Sequence, residues 1–329
     1  MDKNRNEFMD IAKGIAILSV IISHCGEGIV HDFLYIFHVP VFFIISGYFF
    51  KEYDLSTFIK KKVKGYLIPY LSFGLLLTLL FWISDIATYQ SFSFRYFIDE
   101  LLAIVIIQIR NTTLWYMAAL ICSTIIFYIL VRISPNDIVL FILASICSIS
   151  FILYDTYISI PLPWNLDVGF IAQIYLVFGY LSRKHSLITR LINSKHYVLI
   201  INLFILIGVV LSIINYKITN TKFEMFNSSY GLFPLTISAS ILGSLAVIII
   251  SAHIHSKVLQ TLGRNSITYF ALHQSLGLIV GQAVVGYIPQ TSLIMRVISY
   301  LILFGIAMLI CYLMDKLIRN TKLKFMVGL

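Results

Sequence analysis

Four ionisable residues near the start of the chain, Asp10, Lys13, His24 and Glu27, have types and spacing suited to chemistry. Lys13 and His24 stand eleven residues apart, which at 100° per residue is about 20° from three full helical turns. Asp10 precedes Lys13 by three positions and Glu27 follows His24 by three, so both carboxylates adjoin the same face. One helix side would then carry a cation, and about 16 Å further along an imidazole. An imidazole that titrates near neutrality can take a proton from a hydroxyl. A carboxylate beside it can orient the ring or stabilise the imidazolium, and a cation at the other end can hold a phosphate. The bland alternative is a lysine that snorkels to lipid headgroups and a histidine that ends a span.

The element that must position these groups is set by composition. The chain has 329 residues, of which 59% are hydrophobic and only 12% charged, and its mean hydropathy is +0.92. A soluble domain carries about a quarter charged residues, so a water-facing surface is excluded and a bilayer is the expected solvent. Ionisable residues inside a span then face a protein interior or an aqueous cavity and mark function. Apolar windows at 9–30, 33–50, 66–84, 114–131, 137–154, 166–182, 197–214, 232–252, 266–284 and 293–314 predict an all-α integral membrane protein with about ten spans. The short apolar stretch 97–109, flanked by Arg95, Asp99, Glu100 and Arg110, reads as interfacial or re-entrant. The N-terminal run lacks a small-residue cleavage site and reads as a retained span.

Orientation follows from the basic residues. With the N-terminus in the cytoplasm and ten spans, the outer side receives only Arg95, Arg110, Lys217, Lys222 and Arg296 of the 24 Lys and Arg. That bias puts both termini inside. The net charge of +9 therefore belongs to cytoplasmic loops, and nucleic acid is not expected as a partner. No long linker or repeat divides the chain, so residues 1–329 read as one membrane domain.

The remaining inventory is weaker. Cys25, Cys122, Cys147 and Cys311 lie in apolar stretches without metal-ligand spacing, so neither a metal site nor a disulfide framework is expected. In FHVPVFFIISGYFF (residues 37–50), His38, Ser46 and Tyr48 bring polar groups into a helix that Gly47 suits to close packing. Asn265 and His273 suggest a second polar cluster, with Arg264 beside them reading as an ordinary cytoplasmic cation. Trp115, Tyr116 and Trp164 read as interfacial aromatic anchors, with sugar stacking as the minority alternative.

Taken together, D-x-x-K-G-I-A with His24 eleven residues after Lys13, then FHVPVFFIISGYFF, resembles the acyltransferase-3 family of bacterial membrane O-acyltransferases. The branch similar to fucose 4-O-acetylase is nearest in character. LWYM at 114–117 and GRNSITYFALH at 263–273 add weaker matches. In that family an arginine usually holds the place of Lys13; lysine keeps the charge without the bidentate fork. The resemblance implies a bacterial inner-membrane enzyme that moves an acetyl group from acetyl-CoA, a co-substrate and not a bound cofactor, to a hydroxyl of an extracytoplasmic polysaccharide or lipid-linked sugar. It implies roles for the pair Lys13 and His24; the residues themselves then suggest His24 as general base, Glu27 assisting it if turned towards it, Lys13 and Asp10 at the acyl-CoA end, and His38, Ser46, Tyr48, Trp115, Asn265 and His273 around a supporting cavity. On composition alone a polytopic exporter or transporter of a glycan fits equally well.

Overall fold

The computed structural model describes residues 7–26, 28–89, 93–107, 113–158 and 160–329. The chain is all-helical, and among the described residues the only extended pairing is a single bridge between Glu224 and Ser229. The first helices are α1 (Glu7–His24), α2 (Ile29–Tyr35), α3 (Pro40–Tyr48), α4 (Leu55–Lys62), α5 (Ile68–Tyr89) and α6 (Phe94–Leu101). Then follow α7 (Trp115–Ile133), α8 (Asp137–Tyr157), α9 (Leu166–Ile171), α10 (Gln173–Lys184), α11 (Leu187–Ile192) and α12 (Tyr197–Thr219). The last are α13 (Phe233–Ala252), α14 (Lys257–Arg264), α15 (Ser266–Leu272), α16 (Ile279–Val285) and α17 (Leu293–Asn320).

Among the described residues, seven segments are long and apolar enough to cross a membrane: Ile29–Tyr48, Leu55–Ala87, Trp115–Ile133, Asp137–Tyr157, Tyr197–Thr219, Phe233–Ala252 and Leu293–Asn320. The other three expected windows are helical but depart from a plain span. Helix α1 carries Glu7, Asp10 and Lys13. The window 166–182 is divided between α9 and α10, and 266–284 runs from α15 through a π-helical turn, His273–Leu278, into α16. Interruptions of this kind survive in lipid only where other groups satisfy the freed backbone. At the α9–α10 break Ser148 of α8 does so: its hydroxyl donates to the Ile171 carbonyl at 2.9 Å and accepts from the Ile174 amide at 3.1 Å.

The helices cluster into two compact units. One comprises Met1–Lys51, Ile126–Ser159 and Phe170–Ser266. Its centre is α1, whose Met9, Ala12, Ala16, Ile17 and Ile21 are fully buried among α2, α3, α13 and α14. The crossing of α1 and α14 is made by glycine. A Cβ on Gly14 would strike the Leu259 carbonyl, and one on Gly263 the Asp10 carbonyl. The crossing of α3 and α10 repeats the device, with Gly47 against the Leu176 carbonyl and Gly179 against that of Ile44. Packing without a hydrophobic drive between helices depends on such close backbone approach. Helix α12 is the opposite case, since only Gly208 and Asn215 of its 23 residues are buried; it suits hydrocarbon on most of its circumference.

The second unit comprises Glu52–Ile125, Ile160–Gly169 and Ile267–Leu329. Helix α6 continues through a π-helical turn, Leu102–Ile106, and packs on α5. Its terminal carbonyls are capped by side chains: Tyr70 donates to Val105 at 2.8 Å and the Trp164 indole to Ile106 at 2.7 Å. Trp164, expected as a membrane-interface anchor, is thus also a helix cap, held in a left-handed conformation with φ of 59°. Within the same unit the buried Asp315 of α17 accepts from Thr268 at 2.8 Å and Arg319 at 2.9 Å.

Candidate functional site

Both ends of α1 carry polar clusters built from distant parts of the first unit. At its N-terminal end the Asp10 carboxylate, only 2% exposed, binds Lys13 Nζ at 2.7 Å and Arg264 Nε at 3.0 Å. Gly263 makes this possible. Because it lets α14 touch α1 at the Asp10 backbone, the next residue reaches the Asp10 side chain. Arg264, read from sequence as an ordinary cytoplasmic cation, is instead fixed to a buried carboxylate. Among the described residues the Asp10 carboxylate thus holds two cations, and Arg264 remains 44% exposed. Arginine also supplies the planar fork that lysine at position 13 lacks.

At the C-terminal end of α1, His24 Nδ1 lies 2.7 Å from the Val20 carbonyl one turn back. A carbonyl can only accept, so Nδ1 carries the proton and the neutral ring has its lone pair on Nε2. The Tyr35 hydroxyl of α2 stands 3.4 Å from that Nε2. His31 stacks on Tyr35 with ring centroids 4.0 Å apart, and His38 meets its edge at 4.5 Å. His38 Nδ1 is itself bonded to the Leu34 carbonyl at 2.9 Å. Both imidazoles therefore spend one nitrogen on their own helical segment, which fixes ring and tautomer together.

A loop between α12 and α13 adds charge beside this cluster. Lys222 Nζ binds Asp32 at 2.9 Å, and His31 Nδ1 donates to the same carboxylate at 3.0 Å. The Glu224 carboxylate lies within electrostatic reach of both His24 and Tyr35. The loop is well tied. Asn215, buried near the end of α12, donates to the Thr221 carbonyl at 3.0 Å and accepts from the Leu232 amide at 2.7 Å. Ser229 pairs with Glu224 through two backbone bonds and donates its hydroxyl to the Lys222 carbonyl at 2.7 Å.

The acyltransferase-3 family model, described as an acyltransferase domain, matches residues 6–316. The chain belongs to this family. No curated protein and no solved structure matches it. The protein is accordingly a multi-pass membrane acyltransferase of the O-acylating kind.

Within the acyltransferase the residues singled out from sequence are distributed unevenly. Asp10 joins Lys13, and His24 and His38 flank Tyr35. Glu27 lies outside the described residues. Ser46 and the buried Tyr48 sit on α3, the helix that packs on α10. Asn265 ends α14 as its C-cap residue. Trp115 and His273 belong to the second unit, where Trp115 meets Tyr116 edge-on and the buried His273 opens the π-helical turn, its Nδ1 3.0 Å from the Tyr269 and Phe270 carbonyls. Sequence reasoning missed Tyr35, His31, Asp32 and Glu224 and undervalued Arg264. The tyrosine was one aromatic among many, and the others become neighbours of α1 only through tertiary contacts. Cys25, next to His24, is buried and its thiol donates to the Ile21 carbonyl at 3.2 Å.

Proposed function

We propose that the protein transfers an acetyl group from cytoplasmic acetyl-CoA to a hydroxyl of an extracytoplasmic polysaccharide or lipid-linked sugar, as in the fucose 4-O-acetylase-like branch, with His24 as general base. The observation that carries this reading is the His24 tautomer: with Nδ1–H held by Val20 at 2.7 Å, Nε2 is the basic atom. In the transfer the acceptor hydroxyl gives its proton to Nε2 while its oxygen attacks the thioester carbonyl. The carbon–oxygen bond forms and the carbon–sulfur bond breaks. The CoA thiolate leaves and recovers the proton from the imidazolium.

The other end of α1 supplies the phosphate contact. Lys13 and Arg264 present two cations on one carboxylate, and a phosphate-bearing co-substrate is held best by such a group. Their distance from His24 along the helix, about 16 Å, is comparable to an extended pantetheine arm. Basic-residue counting assigns Lys13 and Arg264 to the cytoplasmic side and Lys222 to the outer side, in keeping with a donor and an acceptor that approach from opposite faces. Mass spectrometry of surface glycans from strains carrying wild-type protein or His24→Ala tests the reading. Loss of O-acetyl groups with normal glycan yield supports it; full acetylation with well-expressed His24→Ala overturns it.

A further inference from the structure

Helix α2 has two working faces. His31 and Tyr35, continued by His38, face the imidazole cluster described above. Ile29, Asp32, Phe33 and Ile36, spaced i, i+3, i+4 and i+7, instead line a cavity of about 620 Å³, within the usual size range of ligand sites. Its opposite wall is a stripe of α12 that includes Val209, Ser212 and Ile213. The walls are apolar, and one end is polar, where Lys222 meets Asp32 at 2.9 Å. Ile29 and Ile213 are 88% and 53% exposed, so the cavity opens sideways on the surface that α12 presents to hydrocarbon.

We propose that this cavity seats the hydrocarbon chain of a lipid-linked sugar acceptor, with the lipid's phosphate at Lys222 and its sugar turned around α2 towards His24. The assignment rests on the acetyl-transfer reading and names the acceptor class for it. A soluble sugar would gain nothing from an apolar cavity open to lipid, whereas a chain entering from the bilayer is driven by burial of apolar surface at both walls. The polar end is the end that matters to catalysis. Asp32 bonds His31 at 3.0 Å, His31 stacks on Tyr35 at 4.0 Å, and the Tyr35 hydroxyl is 3.4 Å from His24 Nε2. A phosphate at Lys222 displaces Asp32 as its anionic partner and leaves the attached sugar beside this relay.

The test uses the purified full-length protein in detergent micelles, titrated with farnesyl phosphate, farnesol and phosphatidylglycerol, with thermal unfolding as the readout. Farnesyl phosphate is expected to stabilise the wild type at concentrations at least tenfold below the other two. Ser212→Trp, which fills the cavity from α12, should abolish the shift. Lys222→Gln should reduce farnesyl phosphate to the level of farnesol, and Ile207→Trp, on another side of α12, should change nothing. Equal stabilisation by phosphatidylglycerol, or an unchanged response in Ser212→Trp, overturns the proposal. In cells, glycan O-acetylation should fall in Ser212→Trp as it does in His24→Ala. If Ser212→Trp acetylates fully while His24→Ala does not, the cavity assignment fails and the acetyl-transfer reading stands. If His24→Ala acetylates fully, that reading fails, and farnesyl phosphate binding still decides whether the cavity takes a polyprenyl chain.

Discussion

The two ends of α1 solve the same problem, polar groups in a membrane, by different means. The N-terminal cluster is held across helices, with one buried carboxylate between Lys13 and an arginine 254 positions from it. The C-terminal cluster is tied along the chain, with His24 and His38 each bonded to a carbonyl four residues back. An inter-helix ion group fixes where charge sits and suits binding. An imidazole tied through one nitrogen keeps the other available and suits proton transfer. The proposed division of labour follows from that contrast.

The contrast breaks most visibly at His24. Removing a general base costs about 10²–10⁴ in rate, so His24→Ala should lower kcat by that factor and leave the KM for acetyl-CoA nearly unchanged. A rise in KM alone, measured with membranes from producing cells and labelled acetyl-CoA, would place His24 in binding. At the other end, Lys13→Gln and Arg264→Gln should each raise that KM about tenfold, the effect of losing roughly 1.4 kcal/mol of binding, with little change in kcat. Because both cations share Asp10, the double variant should fall short of the product of the two single effects.

The glycine crossings sharpen the comparison further. Gly263→Ala and Gly179→Ala both push a methyl group into a facing carbonyl, and each should cost about 1–3 kcal/mol, as overpacked contacts do. Thermal unfolding should show similar losses. Only Gly263→Ala should also raise the KM for acetyl-CoA, since it alone moves α14 and Arg264 off α1. The smallest effect belongs to Tyr35→Phe. Its hydroxyl contact with Nε2 is long at 3.4 Å, and loss of a marginal neutral hydrogen bond is worth about 0.5–1.5 kcal/mol at most. A several-fold fall in kcat is expected, and a fall as deep as that of His24→Ala would make the tyrosine the proton carrier.

Much of this frame was legible in the sequence. Apolar windows located the helices because chain hydropathy is a local property, and the Lys13–His24 interval could be placed on one helix face by arithmetic. The interruptions were not legible. The window 33–50 is α2, a turn and α3, and the break at Ala172 depends on Ser148 from another span. Hydropathy averages over such breaks, and the groups that satisfy them lie far away in the chain. The same limit explains the site. Arg264 looked like a loop cation until Gly14 and Gly263 brought α14 against α1. Lys222 and Glu224 are loop residues in sequence and become part of the site only because Asn215 ties their loop at both ends.

The central claim is that α1 binds the donor at one end and activates the acceptor at the other. Calorimetric titration of purified protein with acetyl-CoA tests this directly when the wild type, His24→Ala and the Lys13→Gln/Arg264→Gln double variant are compared. The account predicts equal affinity for wild type and His24→Ala and at least tenfold weaker binding for the double variant. Equal binding by all three, or loss of binding on removing His24 alone, would contradict it.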